Sequence, residues 1–201
     1  MPLDQDIALA IRSVCVYCGS SNKVDEKHKT TAKDVGTALA KHKLRIVYGG
    51  GHVGLMGIIA DSALKAGGEV IGIIPEHIRV KEVQHTHLTE LHVVDSMHTR
   101  KRMMVEKSDA FVVLPGGFGT LDETFEILTW RQLGLHNKPI IIYNEGGFWT
   151  PLIKVIDHVV NSGFAPKDNL EFYKVVNNLD ELFAALAAPT GAMIDPATKW
   201  I

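Results

Sequence analysis

Short, almost continuously apolar runs alternate regularly along this chain with longer segments whose apolar residues recur at helical spacing. Phe111-Val112-Val113-Leu114 and Ile140-Ile141-Ile142 are runs of the first kind. A strand has no polar face only when both faces of its sheet are covered, as in a parallel sheet wrapped by helices. The same reading predicts strands near Ile11–Val16, Leu44–Tyr48, Glu69–Ile74, Leu91–Val94, Ala110–Leu114 and Pro139–Tyr143. Helices are predicted over Lys27–Lys41, Leu55–Ala66, Met97–Lys107, Leu121–Leu133 and Pro151–Ser162, with Phe125, Leu128 and Leu133 as one apolar stripe. A strand at Tyr173–Val176 and a helix at Leu179–Leu186 complete the pattern, and Pro189–Ile201 reads as a loosely packed tail.

This alternation predicts an α/β fold: a single domain over residues 1–201, with its core at about 11–187, on a doubly wound, mostly parallel, Rossmann-like sheet. A chain of 201 residues is long enough to bury such a core without metal or disulfide staples. Lys and Arg number 21 against 23 Asp and Glu, a formal charge of −2, so no global field draws the chain to nucleic acid or an anionic membrane. Its apolar runs are too short to span a bilayer. Asp4 and Asp6 stand where a secretory signal would carry a basic region ahead of a long apolar run, so a cytoplasmic protein is expected. Cys15 and Cys18 fall in or just after a predicted strand, a context that favours reduced thiols over a redox pair or half a zinc site.

In doubly wound sheets ligands bind beyond the carboxyl ends of the strands. Three strand ends here are rich in small residues: Cys18-Gly19-Ser20-Ser21, Tyr48-Gly49-Gly50-Gly51-His52-Val53-Gly54-Leu55-Met56-Gly57, and Leu114-Pro115-Gly116-Gly117-Phe118-Gly119-Thr120. Each opens towards a predicted helix. Glycines let backbone N–H groups approach an anion and a helix N-terminus adds partial positive charge, so a phosphate is the natural guest. One such loop is as readily a tight turn, whereas three on one sheet edge favour binding, with Gly19, Ser20, Gly50, Gly51, Gly54 and Gly116 as candidate contacts. Gly49, Gly51 and Gly54 match G-x-G-x-x-G, and Glu76 stands further on, which suggests a dinucleotide and an NAD-dependent oxidoreductase. That motif follows the second predicted strand instead of the first, with no second mononucleotide-binding half apparent. No Gly-Lys-Ser/Thr follows any of the loops, which excludes a P-loop.

The strongest signal is Pro115-Gly116-Gly117-Phe118-Gly119-Thr120-Leu121-Asp122-Glu123. Thr120 and Glu123 have the spacing of a capping box, which needs no function. Capping leaves unexplained the Gly-Gly-x-Gly run and Glu126, a candidate substrate contact that shares a helical face with Glu123 and is followed on that face by Thr129. The preceding predicted helix opens Met97-His98-Thr99-Arg100-Lys101-Arg102, and cations in a first turn oppose the helix dipole unless an anion lies nearby. A solvated basic face is the alternative there. His85, His87 and His92 lack an evident carboxylate or cysteine set, so solvated histidines are expected and no metal site is assigned.

Through Pro115–Glu123, Met97-His98-Thr99-Arg100-Lys101 and the Gly49–Gly57 loop, the chain resembles the Lonely Guy (LOG) family of cytokinin riboside 5′-monophosphate phosphoribohydrolases, whose members were often labelled lysine decarboxylases. The likeness covers nearly all of residues 11–187 and extends through Thr129-Trp130-Arg131-Gln132-Leu133-Gly134 and Lys138-Pro139. It implies nucleotide contacts from Arg100, Lys101, Gly117, Phe118, Gly119, Thr120, Leu121, Asp122, Glu123 and Thr129, with Glu82 reaching in from the loop after the third strand. It also implies that Arg100 and Glu123 are the catalytic pair and that the protein is a homodimer. The substrate implied is a nucleoside 5′-monophosphate, an N6-modified adenylate or AMP, cleaved to free base and ribose 5-phosphate without a cofactor. No lysine has a recognisable pyridoxal-phosphate context that would support decarboxylation. A non-catalytic carrier of a phosphorylated cofactor on the same fold is the competing reading from another class.

Overall fold

The computed structural model describes residues 11–79 and 83–189. Seven strands form one sheet: β1 (Ser13–Tyr17), β2 (Arg45–Tyr48), β3 (Val70–Pro75), β4 (Glu90–Val94), β5 (Ala110–Val113), β6 (Ile140–Tyr143) and β7 (Lys174–Val176). Their order is β4-β3-β2-β1-β5-β6-β7, and all six neighbouring pairs are parallel. Between them run α1 (Glu26–Lys41), α2 (Leu55–Lys65), the single turn α3 (Glu76–Arg79), α4 (Met97–Glu106), α5 (Phe118–Gln132) and α6 (Thr150–Asn161), and α7 (Leu179–Ala187) follows β7.

Alternation along each strand divides the interior into two layers. Val14, Val16, Ile46, Tyr48, Val112 and Ile141 face one way, onto α1, α2 and α7. Cys15, Tyr17, Val47, Phe111, Val113 and Ile142 face the other, where Met104 of α4, Ile127 of α5 and Leu152 of α6 meet them. Both faces are covered, which is why β5 and β6 read as continuous apolar runs. The chain winds outward in one direction from β1 to β4 and in the other from β5 to β7, so the switch point lies between β1 and β5. The loops leaving these two strands frame a crevice at the carboxyl edge.

Two local expectations fail, both in α5. The helix starts at Phe118, ahead of the predicted Leu121, with Gly117 as its N-cap and no side-chain cap. Thr120 is therefore no capping residue: its side chain packs against Gly116, where an added Cβ would meet the Thr120 hydroxyl. The buried face of α5 is Thr120, Thr124 and Ile127, while Phe125 is exposed. Two buried threonines are tolerated in part because the Thr124 hydroxyl donates to the Thr120 carbonyl at 2.6 Å, satisfied within the helix itself. Residues 190–201 of the expected tail, and Glu82, lie outside the described residues.

Candidate active site

The crevice at the switch point is a cavity of about 370 Å³. That is within the range of roughly 300–1,000 Å³ usual for small-ligand sites. The loop after β1 and the loop before α5 are joined by a hydrogen bond from the Gly19 N–H to the Pro115 carbonyl, 3.0 Å. Gly19 and Ser20 line one side of the cavity, and Gly117, Phe118, Gly119 and Thr120 line another. The latter four are the N-cap and first turn of α5, whose N–H groups have no partner within the helix. Gly117, Phe118 and Gly119 are exposed, so the positive end of the α5 dipole opens to a ligand.

Arg100 and Glu123 line this same cavity, one from α4 and one from α5. Arg100 is 4% exposed, and its Nη2 donates to the Gly49 carbonyl at 2.9 Å. A buried guanidinium is held only where hydrogen bonds and charge offset its lost hydration. Gly49 is what makes the placement possible, because a Cβ there would stand 2.0 Å from Arg100 Nη2. The glycine run after β2 thus seats an arginine. Gly54 has another purpose: its φ is +65°, and a Cβ would strike the Ser20–Ser21 backbone, so it lets the two loops pack together. Gly50, Gly51 and Gly54 are buried and lie outside the cavity lining, as does Gly116.

Lys101 points elsewhere. Its Nζ is 3.0 Å from both Asp122 and Glu126, tying α4 to α5. Burial lowers the affinity of this ammonium for its proton, but the two carboxylates outweigh burial and hold its pKa above the ordinary value. Asp122 also lines the cavity, whereas Lys101, Leu121, Glu126 and Thr129 do not. The solvated basic face weighed for the start of α4 is therefore not what forms: Arg100 is buried, Lys101 is doubly paired, and Arg102 alone of the three is exposed.

Sequence reasoning gave no role to the apolar wall formed by Val16, Met56, Ile78, Met97 and Met104. Met56 and Met97 stood inside quoted motifs, and methionine suits a flat, polarizable guest such as a purine. Ile78 carried no signal, since α3 is a single turn placed by tertiary contacts. Cys18 is buried and lines the cavity. Cys15 is fully buried in β1, and burial, reinforced by the charge of Glu123 and opposed by Arg100, pushes its thiol well above its ordinary pKa. Both cysteines are free thiols. Among the described residues no helix is long and apolar enough to cross a membrane.

The expectation of solvated histidines is wrong for His85, which is 2% exposed and bonded to Asp61. A carboxylate and a further imidazole, His52, come to it from α2 and from the loop after β2, partners that its sequence neighbourhood does not reveal. His87 is exposed and His92 is partly exposed beside Glu90.

A seven-stranded parallel sheet with a buried arginine, a carboxylate and a helix N-terminus around its switch-point crevice defines a doubly wound α/β protein with a polar site at its carboxyl edge. Comparison with known proteins makes this specific. A family model described as "Possible lysine decarboxylase" matches residues 56–186. The cytokinin riboside 5′-monophosphate phosphoribohydrolase of Rhodococcoides fascians is 45% identical over 179 residues, 89% of this chain and 90% of that protein. LOG5 of Arabidopsis thaliana, of the same name, is 38% identical over 94% of this chain and 84% of its own length. The chain belongs to this LOG family. Among solved structures, the molybdenum cofactor carrier protein of Chlamydomonas reinhardtii superposes with a TM-score of 0.64 at 19% identity, covering 87% of this chain and 94% of that one. The molybdenum cofactor binding protein of Rippkaea orientalis gives 0.64 at 20% identity over 88% and 97%. These two share the fold.

Proposed function

We propose that this chain hydrolyses the N-glycosidic bond of N6-modified adenosine 5′-monophosphates, the cytokinin riboside monophosphates, and of AMP, releasing free base and ribose 5-phosphate. The observation that carries the reading is the convergence of buried Arg100, Glu123 and the open first turn of α5 on one cavity. The identities of 38–45% to proteins named as cytokinin riboside 5′-monophosphate phosphoribohydrolases support it.

In this reading the 5′-phosphate sits against Gly117, Phe118, Gly119 and Thr120, where backbone donors and the helix dipole meet its charge. The base lies along the methionine wall. Breaking the C1′–N bond leaves positive charge on the ribose and negative charge on the base, and water supplies the hydroxyl that ends on C1′ and the proton that leaves with the base. Glu123 is the carboxylate that steadies the sugar cation and orients that water. Arg100 acts by the charge of its guanidinium and by positioning. Binding energy from the remote phosphate serves to orient the reacting bond. Lys101, Asp122 and Glu126 keep α4 and α5 in register beneath the pair.

Homodimerisation is part of the proposal. Phe118 at 92% exposure and Phe164 at 85% are large apolar side chains that a second copy of the chain would cover.

The test is to incubate purified protein with isopentenyladenosine 5′-monophosphate or AMP, follow base and ribose 5-phosphate by chromatography, and weigh the active species by light scattering. Release from a particle of two chains is expected, with Glu123→Gln and Arg100→Ala losing at least about a hundredfold in rate while retaining their circular dichroism. Near-wild-type rates in either variant would remove that residue from the mechanism. Tight nucleotide binding with no product would favour the carrier reading.

A further inference from the structure

Away from the cavity, three side chains from separate parts of the chain converge. His52 follows β2, Asp61 lies on α2, and His85 precedes β4. His85 Nε2 is 2.8 Å from Asp61 Oδ1, and His52 Nε2 is 3.1 Å from Asp61 Oδ2. The donor atoms of all three lie within 4.8 Å of one another. Backbone bonds fix the loops that carry the imidazoles: His52 N–H donates to Val83 at 2.8 Å, His85 N–H donates to Gly50 at 3.0 Å, and Gly51 bridges Gln84.

We infer that His52, Asp61 and His85 form a binding site for a divalent transition metal ion, with Zn²⁺ as the reference ion. Two imidazole nitrogens and one carboxylate oxygen are the donor set such ions select. Around a tetrahedral ion with bonds near 2.0–2.1 Å the donors stand about 3.3 Å apart. The two imidazole–carboxylate contacts end on different oxygens of Asp61, each on the order of half an ångström or less from that spacing, so both rings already stand against one carboxylate that can offer the ion either oxygen. The Asp61 and His52 side chains are 57% and 45% exposed, so solvent reaches the ion's remaining position, while the His85 side chain at 1% supplies a rigid buried ligand.

One contact opposes the ion and gives the proposal a specific signature. His85 Nδ1 accepts from the His87 N–H at 3.1 Å, which keeps the ring proton of the ion-free site on Nε2. A metal on Nε2 displaces that proton, and the neutral ring then carries a proton on Nδ1, facing the His87 amide. The His87 N–H must turn away, and it can, because Thr86 and His87 are both exposed and water is at hand.

The experiment uses the full chain stripped with EDTA and dialysed into a non-chelating buffer. Zn²⁺ is titrated by equilibrium dialysis with metal analysis, Co²⁺ is followed by its visible d–d absorption, and the His87 amide is followed by NMR. One ion per chain is expected, the His87 amide moving in step with occupancy, and His52→Ala and Asp61→Asn each weakening binding at least tenfold while staying folded. His85 is buried, so its replacement is avoided. No saturable binding by the wild type, or binding by both variants within threefold of it, would overturn the site and leave a hydrogen-bonded cluster only. A His87 amide that stays still at full occupancy would equally overturn it.

Discussion

Replacing Gly119 by alanine tests the phosphate position directly, because nothing among the described residues requires a glycine there. Among the described residues, a Cβ built on Gly119 has no heavy atom beyond its own helix within 4 Å, and the residue lies in the first turn of α5 with no positive φ. Alanine is favoured over glycine by about 1 kcal/mol in a helix interior, and about half of that is reasonable in a first turn. The variant should therefore melt about 1–2 °C higher. If the 5′-phosphate rests on this turn, the added methyl pushes it off the backbone donors. Loss of one hydrogen bond to a charged group, about 1.5–3 kcal/mol, raises KM for the monophosphate by about 10- to 150-fold. Steady-state kinetics and thermal denaturation on the same preparation measure both quantities, with the corresponding nucleoside as a phosphate-free control that should be unaffected. An unchanged KM with raised stability would refute the phosphate position. A marked fall in melting temperature would refute the reading of Gly119 as structurally free.

Gly49→Ala makes the opposite bet: its Cβ would stand 2.0 Å from Arg100 Nη2 and displace the guanidinium from the Gly49 carbonyl, so kcat should fall by about a hundredfold, as expected for a misplaced reacting group. Kinetics on a variant shown to be folded by circular dichroism would check it, and a wild-type kcat would count against Arg100 acting from this position. His136 sets a pH dependence of stability: its Nε2 faces the Ile127 carbonyl at 2.9 Å, and burial first, then Arg131 and Lys138, hold its pKa below the ordinary 6.5. The folded state therefore binds the proton less readily than the unfolded chain, so this contribution to stability is present above pH 6.5 and is lost as pH falls below it. Urea unfolding across that range should show a weaker pH slope in His136→Gln than in the wild type.

Strand and helix content was legible because it depends on local periodicity. The dry strands Phe111–Leu114 and Ile140–Ile142 announced a sheet covered on both faces, and the sheet has that form. The loops rich in glycine were legible too, although residue type alone could not say what each glycine was for. Gly49 accommodates Arg100, Gly54 accommodates another loop, and Gly119 faces no other described residue, distinctions set by neighbours up to 51 residues away. The α5 stripe failed for a related reason. Apolar spacing pointed to Phe125, yet threonines that satisfy their own hydroxyls could take the buried face.

Propensity, turn chemistry and the 3.6 and 2.0 periods are local properties, so the α/β class, the approximate positions of the elements and the residues at the carboxyl edge could be read from the chain alone. Which of those residues meet depends on packing between distant segments. Strand order puts the switch point between β1 and β5, and that order is set by crossover packing, which leaves no mark in any one segment. The crevice it creates brings Arg100 and Glu123 to one cavity, commits Lys101 to Asp122 and Glu126, and leaves His85 buried beside Asp61 and His52. Charge and hydrogen-bonding capacity are written in the chain; their partners follow from distances in space.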